Sequence, residues 1–329
     1  MLIDGVERLP GPTWAAYLIG LVLMIVFLAA TDWMSGAPIG QIQPDRAIWA
    51  AAIIVSAWLI HHLDHVARAA LRDFAPLLGA SPATLAALEP ELTVIPAIPS
   101  LAILVLAMLR TAEGFAFQPE TEGVAGLIPV ALALRYVFEV GLTSLILILV
   151  YHTVRQLRSV GRIHALAPRV NLLRPAPLYA FSRLTSQTAM GLVLLTIPFM
   201  GNIGAATSTL DLAVTLGIVG LILGTAVAAF LVPLLGMHRR MGVEKRRLQD
   251  EAGSRIETMI GELHGSIDRD DLTRADGQNK TLASLIAERE LVHKLSTWPW
   301  QAGTATAVVS ALLLPVGIWL TTRLLERIV

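Results

Sequence analysis

The sequence predicts an all-α protein, a polytopic membrane helix bundle of about seven transmembrane helices with a cytoplasmic helical hairpin. Its 329 residues are 55% hydrophobic and only 15% charged, with a mean hydropathy of +0.66, whereas a soluble domain carries about 25% charged residues. The charges are concentrated between long uncharged blocks, seven of which approach the roughly 20 residues that a helix needs to cross hydrocarbon. Lipid offers backbone groups no hydrogen-bond partner, and the blocks lack the two-residue period of barrel strands, so the spans should be helices.

The predicted spans divide the chain into three parts. Residues 1–237 should hold six spans, residues 238–297 a cytoplasmic helical hairpin, and residues 298–329 the last span and the C-terminus. The first span should remain uncleaved, because its apolar run is longer than the about 7–15 residues of a signal-peptide core. The predicted spans cover residues 13–31, 47–62, 92–109, 126–151, 184–202, 212–237 and 300–321.

Lysine and arginine residues set the predicted orientation, because they are enriched in cytoplasmic loops. Twenty of the 25 lie in the N-terminal segment and in the links after spans two, four and six. Four lie on the opposite side, and Arg135 lies within span four. The N-terminus is therefore predicted to be cytoplasmic and the C-terminus outside. Arg323 and Arg327 conflict with this orientation, so a segment at 300–321 that re-enters or lies flat stays open as an alternative.

A histidine-rich stretch, WLIHHLDHVARAALRD, marks the end of the second span. His61, Asp64 and His65 have the spacing of a helical zinc site, in which two imidazoles bind the metal and a carboxylate acts as a base. The alternative is an amphipathic helix whose polar stripe faces water or headgroups, with Asp64 paired to Arg68 one turn on. We favour this alternative, because the neighbouring cations oppose metal binding. The apolar face of the helix comprises Leu59, Leu63, Val66, Ala70 and Phe74.

Two charged residues, Arg135 and Glu139, lie one turn apart within the fourth span. A charge near the bilayer centre costs roughly 2.5–3.5 kcal/mol on insertion scales, so such residues usually face the bundle interior or a wet cavity. Three interpretations are open. The two side chains form a pair that only packs, Arg135 lies near the true start of the helix and reaches the outer surface, or Glu139 lines an ion, proton or solute path.

The sixth span carries small residues four apart, Gly220, Gly224 and Ala228. This spacing lets two helices approach closely and predicts a helix contact, either within the chain or between subunits. The link at 155–183 holds six arginines and no acid. It should lie along the inner leaflet over anionic headgroups, although retention of positive charge in the cytoplasm explains the same pattern.

The link from 238 to 297 is predicted to be a helical hairpin with coiled-coil character. Its first arm has an apolar stripe in steps of three and four, and DRDDLTRADGQN predicts the turn. The arms should pack together or against copies from other subunits. The apolar residues of the first arm are Leu248, Ala252, Ile256, Met259, Leu263 and Ile267, and those of the second are Leu282, Leu285, Ile286, Val292 and Leu295.

Four segments in the C-terminal half of the chain are similar to segments of other proteins. The segments LLGMHRRMGVEKRRLQDEAGSRIE, DGQNKTLASLIAERE and LSTWPWQAGTATAVVSALLLP, together with RPAPLYAFSRLTSQTA, resemble a group of uncharacterised bacterial multi-span proteins. The resemblance implies a bacterial inner (plasma) membrane protein. It carries no known activity and transfers no functional residue.

The sequence also narrows the function classes. Zero net charge gives no indication of a nucleic-acid partner, and the lack of cysteine excludes disulfides and thiolate chemistry. The leading expectation is a homo-oligomeric channel or transporter component for an ion or small solute, using the polar pair in span four. The second is a sensor or scaffold whose hairpin at 238–297 recruits a cytoplasmic protein. A membrane metalloenzyme is the third and least favoured expectation, because the sequence shows no nucleophile–base set and no cofactor motif. No cofactor is predicted.

Overall fold

The computed structural model describes residues 11–120, 122–168, 170–199, 209–301 and 303–328, and all regular secondary structure in these ranges is helical. The all-α prediction is confirmed. A short 3₁₀ turn, Ala176–Tyr179, precedes the sixth helix. The α-helices are α1 Thr13–Met34, α2 Pro44–Leu78, α3 Pro82–Thr93, α4 Ala97–Phe117, α5 Pro129–Leu166, α6 Ala180–Leu194, α7 Thr209–Asp268, α8 Leu272–Lys294 and α9 Thr304–Ile328.

Local sequence signals explain where several helices begin and end. Helices α2, α3 and α5 each start with a proline, which lacks the N–H that a first turn would leave unpaired. The Ser81 side chain caps α3 by accepting a hydrogen bond from the Thr84 N–H. Helix α2 ends at Gly79, which adopts the left-handed conformation (φ 56°) common after the last helical turn.

Within the described ranges, five helical stretches are long and apolar enough to cross a membrane, so the predicted count of seven is not confirmed. They are α1, α2, the joined pair α3–α4, α5 and α7 from Thr215 onward. The predicted span at 184–202 corresponds to α6, which has only 15 residues, and its positions 200–202 lie outside the described residues. The segment at 300–321 holds a shorter apolar helix, Thr304–Gly317. The N-terminal segment 1–10 and Arg169, which entered the charge count, also lie outside the described residues.

Helix α6 is the centre of the main hydrophobic core, where it packs against α2, α7 and α9. Phe181 of α6 lies 5.3 Å, ring centre to ring centre, from both Phe74 of α2 and His164 of α5. A smaller core cluster joins α1, α2 and α5 farther along the bundle through Leu28, Ala50, Ala52, Phe138 and Leu142. Burial inside the bundle, rather than exposure to lipid, therefore explains the apolar character of α6.

Polar side chains on neighbouring helices cap the C-terminal carbonyl groups at one end of the bundle. The Gln156 side chain donates to the Leu92 carbonyl at the end of α3 over 2.9 Å, and Arg240 of α7 donates to the His164 and Ala167 carbonyls at the end of α5. Such contacts satisfy carbonyls that a helix end leaves unpaired and place positive charge at the negative end of the helix dipole. We call this arginine-rich end the basic end.

The opposite end of the bundle, which we call the loop end, carries the loops 35–43 and 118–128. The two loops are tied to each other and to the helices by side-chain hydrogen bonds. Arg46 Nη2 donates to the Gly123 carbonyl over 3.0 Å, and the Ile128 N–H donates to Ser35 Oγ over 3.3 Å. These contacts hold the ends of α1, α2 and α5 close together.

Helices α7 and α8 form the hairpin. Helix α7 runs without interruption from the apolar segment through Asp268 and so crosses the domain boundary predicted at 237/238. Only the start of the predicted turn segment is a turn. Asp270 has a left-handed backbone (φ 56°), the Asp271 carboxylate accepts from the Arg274 N–H over 3.1 Å, and α8 begins at Leu272. Coiled-coil packing of the two arms is not confirmed.

A stack of aromatic rings fixes the base of the hairpin. Phe230 of α7 stacks on Trp300 with ring centres 5.2 Å apart, Trp300 on Trp298 at 4.3 Å, and Trp298 on His238 of α7 at 3.9 Å. His238 Nδ1 also donates to the Thr297 carbonyl over 2.9 Å. These contacts hold the segment between α8 and α9 against α7.

Helix α6 packs tightly against α2 at Gly191, and Gly191→Ala should destabilise the protein by about 1–3 kcal/mol. A Cβ at this position would lie 2.5 Å from Leu59 Cδ2, and Leu59 is itself only 2% exposed. Thermal unfolding in detergent measures the effect. Gly236→Ala is the matched control, because a Cβ there meets nothing within 4 Å. Equal melting temperatures for the two variants would contradict the proposed tight contact.

Candidate functional site

A buried carboxylate–imidazole pair, Asp64 of α2 and His152 of α5, is the candidate functional site. His152 Nε2–H donates to Asp64 Oδ1 over 2.7 Å. His152 is fully buried and Asp64 is only 8% exposed. Burying ionisable groups costs free energy unless they are paired, and this pair links two of the helices that are long enough to span a membrane. The arrangement can hold and pass a proton between its two members.

The apolar face predicted for the second span is confirmed, because Leu59, Leu63, Val66, Ala70 and Phe74 are all buried. The prediction for its polar stripe is wrong in part. His61 is only 7% exposed and Asp64 is buried as well, whereas His65 is exposed and Arg68 is half-buried. The reason is tertiary: α2 is packed against α1, α5 and α6, so both of its faces meet protein over this stretch.

The ion pair predicted between Asp64 and Arg68 is not the one in the structure. Asp64 accepts from His152, and Arg68 Nε instead lies 3.1 Å from Glu89 Oε1 of α3. A spacing of four residues permits a pair on one helix, but partners on neighbouring helices compete for the same side chains. Here α5 offers an imidazole to Asp64, and α3 offers a carboxylate to Arg68.

Three further histidines lie beside this pair and line a cleft of about 540 Å³ with Thr13, Tyr17 and Trp58. The Nε2 atoms of His61 and His65 are 2.8 Å apart, so one ring donates and the other accepts. His62 Nε2 donates to the Gln187 side-chain oxygen of α6 over 3.0 Å and stacks on Trp58. The cleft thus presents imidazole groups one turn from the buried Asp64.

The zinc-like set of His61, Asp64 and His65 does not converge on one point. Among the described residues, no group of three His, Asp or Glu side chains has the geometry to hold a metal ion. The physical reason is the orientation of Asp64, whose Oδ1 atom bonds to His152 on the neighbouring helix. The sequence spacing alone does not reveal this competing partner.

Arg135 of the fourth predicted span lies next to an acid on another helix. Arg135 Nη2 lies 3.7 Å from Asp32 Oδ1 of α1, and Asp32 Oδ2 lies 3.6 Å from Arg46 Nε of α2. Within the described ranges, no ion pair joins Arg135 to Glu139 within 4.0 Å. Arg135 lies about 9 Å along α5 from its first residue and is fully buried, so its side chain does not reach the outer surface. Glu139 is half-buried.

Sequence reasoning missed Asp32, Arg46, His152 and Gln187 as site residues. The sequence indicates Asp32 only weakly as a site residue, because it is a lone acid at the end of the first apolar block. No spacing connects His152 to Asp64 or Gln187 to His62, because each partner lies on another helix far away in the chain. Only the packing of α2 against α5 and α6 brings these side chains together.

The small residues Gly220, Gly224 and Ala228 lie on an exposed face of α7. A Cβ added at Gly220 or at Gly224 meets nothing within 4 Å among the described atoms. The predicted helix contact is therefore not made within the described part of the chain, and contact between subunits stays a prediction.

Comparison with protein-family models, with curated proteins and with solved structures returns no match. The resemblance to bacterial multi-span proteins stays a prediction, and the site is interpreted from its own geometry.

Proposed function

We propose that the chain forms a homo-oligomeric membrane channel or transporter component for an ion or small solute, in which Asp64 and His152 carry a proton. The observation that carries the proposal is the buried 2.7 Å hydrogen bond between these two side chains beside a histidine-lined cleft. Carboxylate and imidazole groups within membrane helices form the proton relays of pumps and transporters. The pair therefore replaces Glu139 as our leading candidate, and Glu139 becomes the second.

The position of the pair along its helices is at one edge of the hydrocarbon, where a proton would enter the relay. Asp64 lies 20 residues after the start of α2 and His152 lies 23 residues after the start of α5, which corresponds to about 30 and 34 Å along the helices. Hydrocarbon is about 30 Å thick, so both side chains fall where it ends at the basic end. His61 and His65, which line the cleft, are neighbours of Asp64 on α2.

A polar route farther into the bundle is also available. The hydroxyl oxygens of Ser144 on α5 and Thr188 on α6 are buried and have no hydrogen-bond partner among the described atoms. Buried polar atoms of this kind bind internal water. Ser144 lies along α5 between His152 and Glu139, so bound water would extend the relay toward the loop end.

We further propose that the protein resides in a bacterial inner membrane with its basic end in the cytoplasm. The Arg- and Lys-rich segments and the base of the hairpin meet at this end, which favours its retention inside the cell. The N-terminus would then be cytoplasmic, and a crossing by α9 would put the C-terminus outside.

Reconstitution tests the transport proposal. The purified full chain is placed in liposomes that contain a pH-sensitive dye, and a potassium diffusion potential set with valinomycin drives cations inward. We expect acidification of the lumen well above that of protein-free vesicles. Proton uptake no faster than in protein-free vesicles would overturn the proposed role of Asp64 and His152.

Homo-oligomer formation has its own test at Gly224. Gly224→Ile should convert the oligomer to smaller species without unfolding it, because the position is open within the chain and small residues allow close helix contact between copies. Light scattering of the detergent-solubilised protein gives the mass. Gly236→Ile on another face of α7 is the control. An unchanged mass for Gly224→Ile would remove this face from the interface.

A scaffold is the second candidate function, and the hairpin surface favours it. Large apolar side chains are exposed on the two arms, although a hairpin in water usually buries them: Val243, Ile260, Ile267, Ile286 and Leu291. A cytoplasmic protein that covers them would make 238–297 a recruitment site. Specific binding of one protein to the full chain, combined with no flux in liposomes, would favour the scaffold over the channel.

A further inference from the structure

We infer that the basic cleft on α5, lined by Tyr151, Val154, Arg155, Arg158 and Arg162, binds the phosphate headgroup of an anionic phospholipid. The cleft has a volume of about 570 Å³. Its lining residues are spaced three and four apart, so they lie on one face of α5 and extend over three turns. The inference rests on the proposed membrane location, but it does not depend on the proposed transport.

The position of the cleft along α5 matches the headgroup layer. Tyr151 lies 22 residues after Pro129, which is about 33 Å along the helix and just beyond the thickness of hydrocarbon. Arg155 and Arg158 lie one and two turns farther. Tyrosine is enriched at this boundary because its ring is apolar and its hydroxyl is polar. The arginines would therefore stand among the phosphates of the leaflet at the basic end.

The charge of the cleft is positive and part of it is fixed in place. Arg155 is anchored because it donates to the Val94 carbonyl between α3 and α4, and Arg162 Nη2 lies 3.0 Å from Glu91 Oε2. Arg158 is exposed, and within the described residues no carboxylate lies within 4.0 Å of it. The three arginines and Glu91 leave an excess of two positive charges. A phosphate that bridges Arg155 and Arg158 would neutralise half of this excess, through the two-pronged contacts that guanidinium groups make.

The apolar component of the cleft favours a lipid over a free anion. Val154 is exposed on the same face as the arginines, and Tyr151 is half-buried next to it. An acyl chain can cover Val154 and the Tyr151 ring while the headgroup contacts the arginines one turn away. A free phosphate would leave this apolar surface uncovered.

Native mass spectrometry of the full chain tests the inference, after solubilisation from vesicles of phosphatidylethanolamine with a minor share of phosphatidylglycerol. We expect the wild-type protein to retain phosphatidylglycerol preferentially. Arg158→Gln should retain it about fivefold less, since one basic side chain near the headgroups contributes about that factor. Arg158→Lys should retain an amount between those of the wild type and Arg158→Gln, because lysine keeps the charge but cannot make the two-pronged contact. Arg72→Gln, an exposed arginine of α2 outside the cleft, is the matched control and should behave as wild type.

Two results would overturn the inference. The first is equal retention of phosphatidylglycerol by the Arg158→Gln and Arg72→Gln variants when both melt at the wild-type temperature. The second is displacement of the lipid by inorganic phosphate with no preference for the lipid, which would assign the cleft to a free anion. Loss of retention confined to Arg158→Gln, with no displacement by phosphate, would support the lipid site.

Discussion

Asp32→Ala should lower the free energy of unfolding by about 3–5 kcal/mol, the cost of removing one member of a buried ion pair. Asp32 lies within 4 Å of two guanidinium groups, those of Arg135 and Arg46, and Arg135 is fully buried. Without the carboxylate, these two cations face each other in a region of low dielectric constant. Thermal unfolding in detergent, followed through the seven tryptophans, measures the loss.

Two further variants serve as controls for the predicted effect of Asp32→Ala. Glu122 forms a more exposed ion pair at the loop end, where its carboxylate lies 3.2 Å from the half-exposed Arg110. Glu122→Ala should therefore lower the free energy of unfolding by at most about 1 kcal/mol. Adding Arg135→Leu to Asp32→Ala should recover most of the stability, because the uncompensated buried cation is gone. A single Asp32→Ala variant as stable as Glu122→Ala would show that the ion pairs of Asp32 with Arg46 and Arg135 contribute little to the fold.

Asp64→Asn should reduce proton flux into liposomes by about a hundredfold, the lower end of what a positioned proton-transfer group contributes in enzymes. Asparagine keeps the shape of the side chain and still accepts the hydrogen bond from His152 Nε2. It cannot take up a proton in the same way as the carboxylate, so the relay is interrupted while the contact between α2 and α5 remains. The initial rate of lumen acidification is the measurement.

Asp73→Asn is the control for this variant. Asp73 belongs to the same helix, but it is exposed and lies outside the cleft. The same charge change there should leave the flux at the wild-type level, and both variants should melt within a few degrees of the wild type. Wild-type flux through the Asp64→Asn protein would eliminate the pair as a proton carrier and would leave Glu139 as the remaining candidate.

The parts of the fold that depend on local pattern could be predicted from the sequence. The apolar blocks predict helices, and the three- and four-residue steps at 248–267 predict the hairpin arm that α7 provides. The apolar face of α2 follows from the spacing of Leu59, Leu63 and Phe74. In each case one helix carries all of the information, so no knowledge of its neighbours is required.

The parts that depend on neighbouring helices could not be predicted. Hydropathy makes 184–202 resemble a span, because it reports apolar composition and not whether the helix faces lipid or lies inside the bundle, as α6 does. For Asp64 and Arg135, the four-residue spacing gave partners on the same helix, whereas His152 and Asp32 come from other helices. The candidate site was therefore identified only in part: Asp64 was selected, but its partner and its burial were not.

The account rests on hydrocarbon surrounding the bundle and on the basic end lying in the cytoplasm, and cysteine labelling tests both directly. The chain has no cysteine, so a single introduced thiol carries the whole signal. Gln41→Cys places it in an exposed loop at the loop end, and Ser284→Cys places it on the exposed surface of α8. In intact cells a membrane-impermeant maleimide should label Gln41→Cys at once, and Ser284→Cys only after the membrane is permeabilised. Labelling of Ser284→Cys in intact cells, with Gln41→Cys protected, would contradict the account.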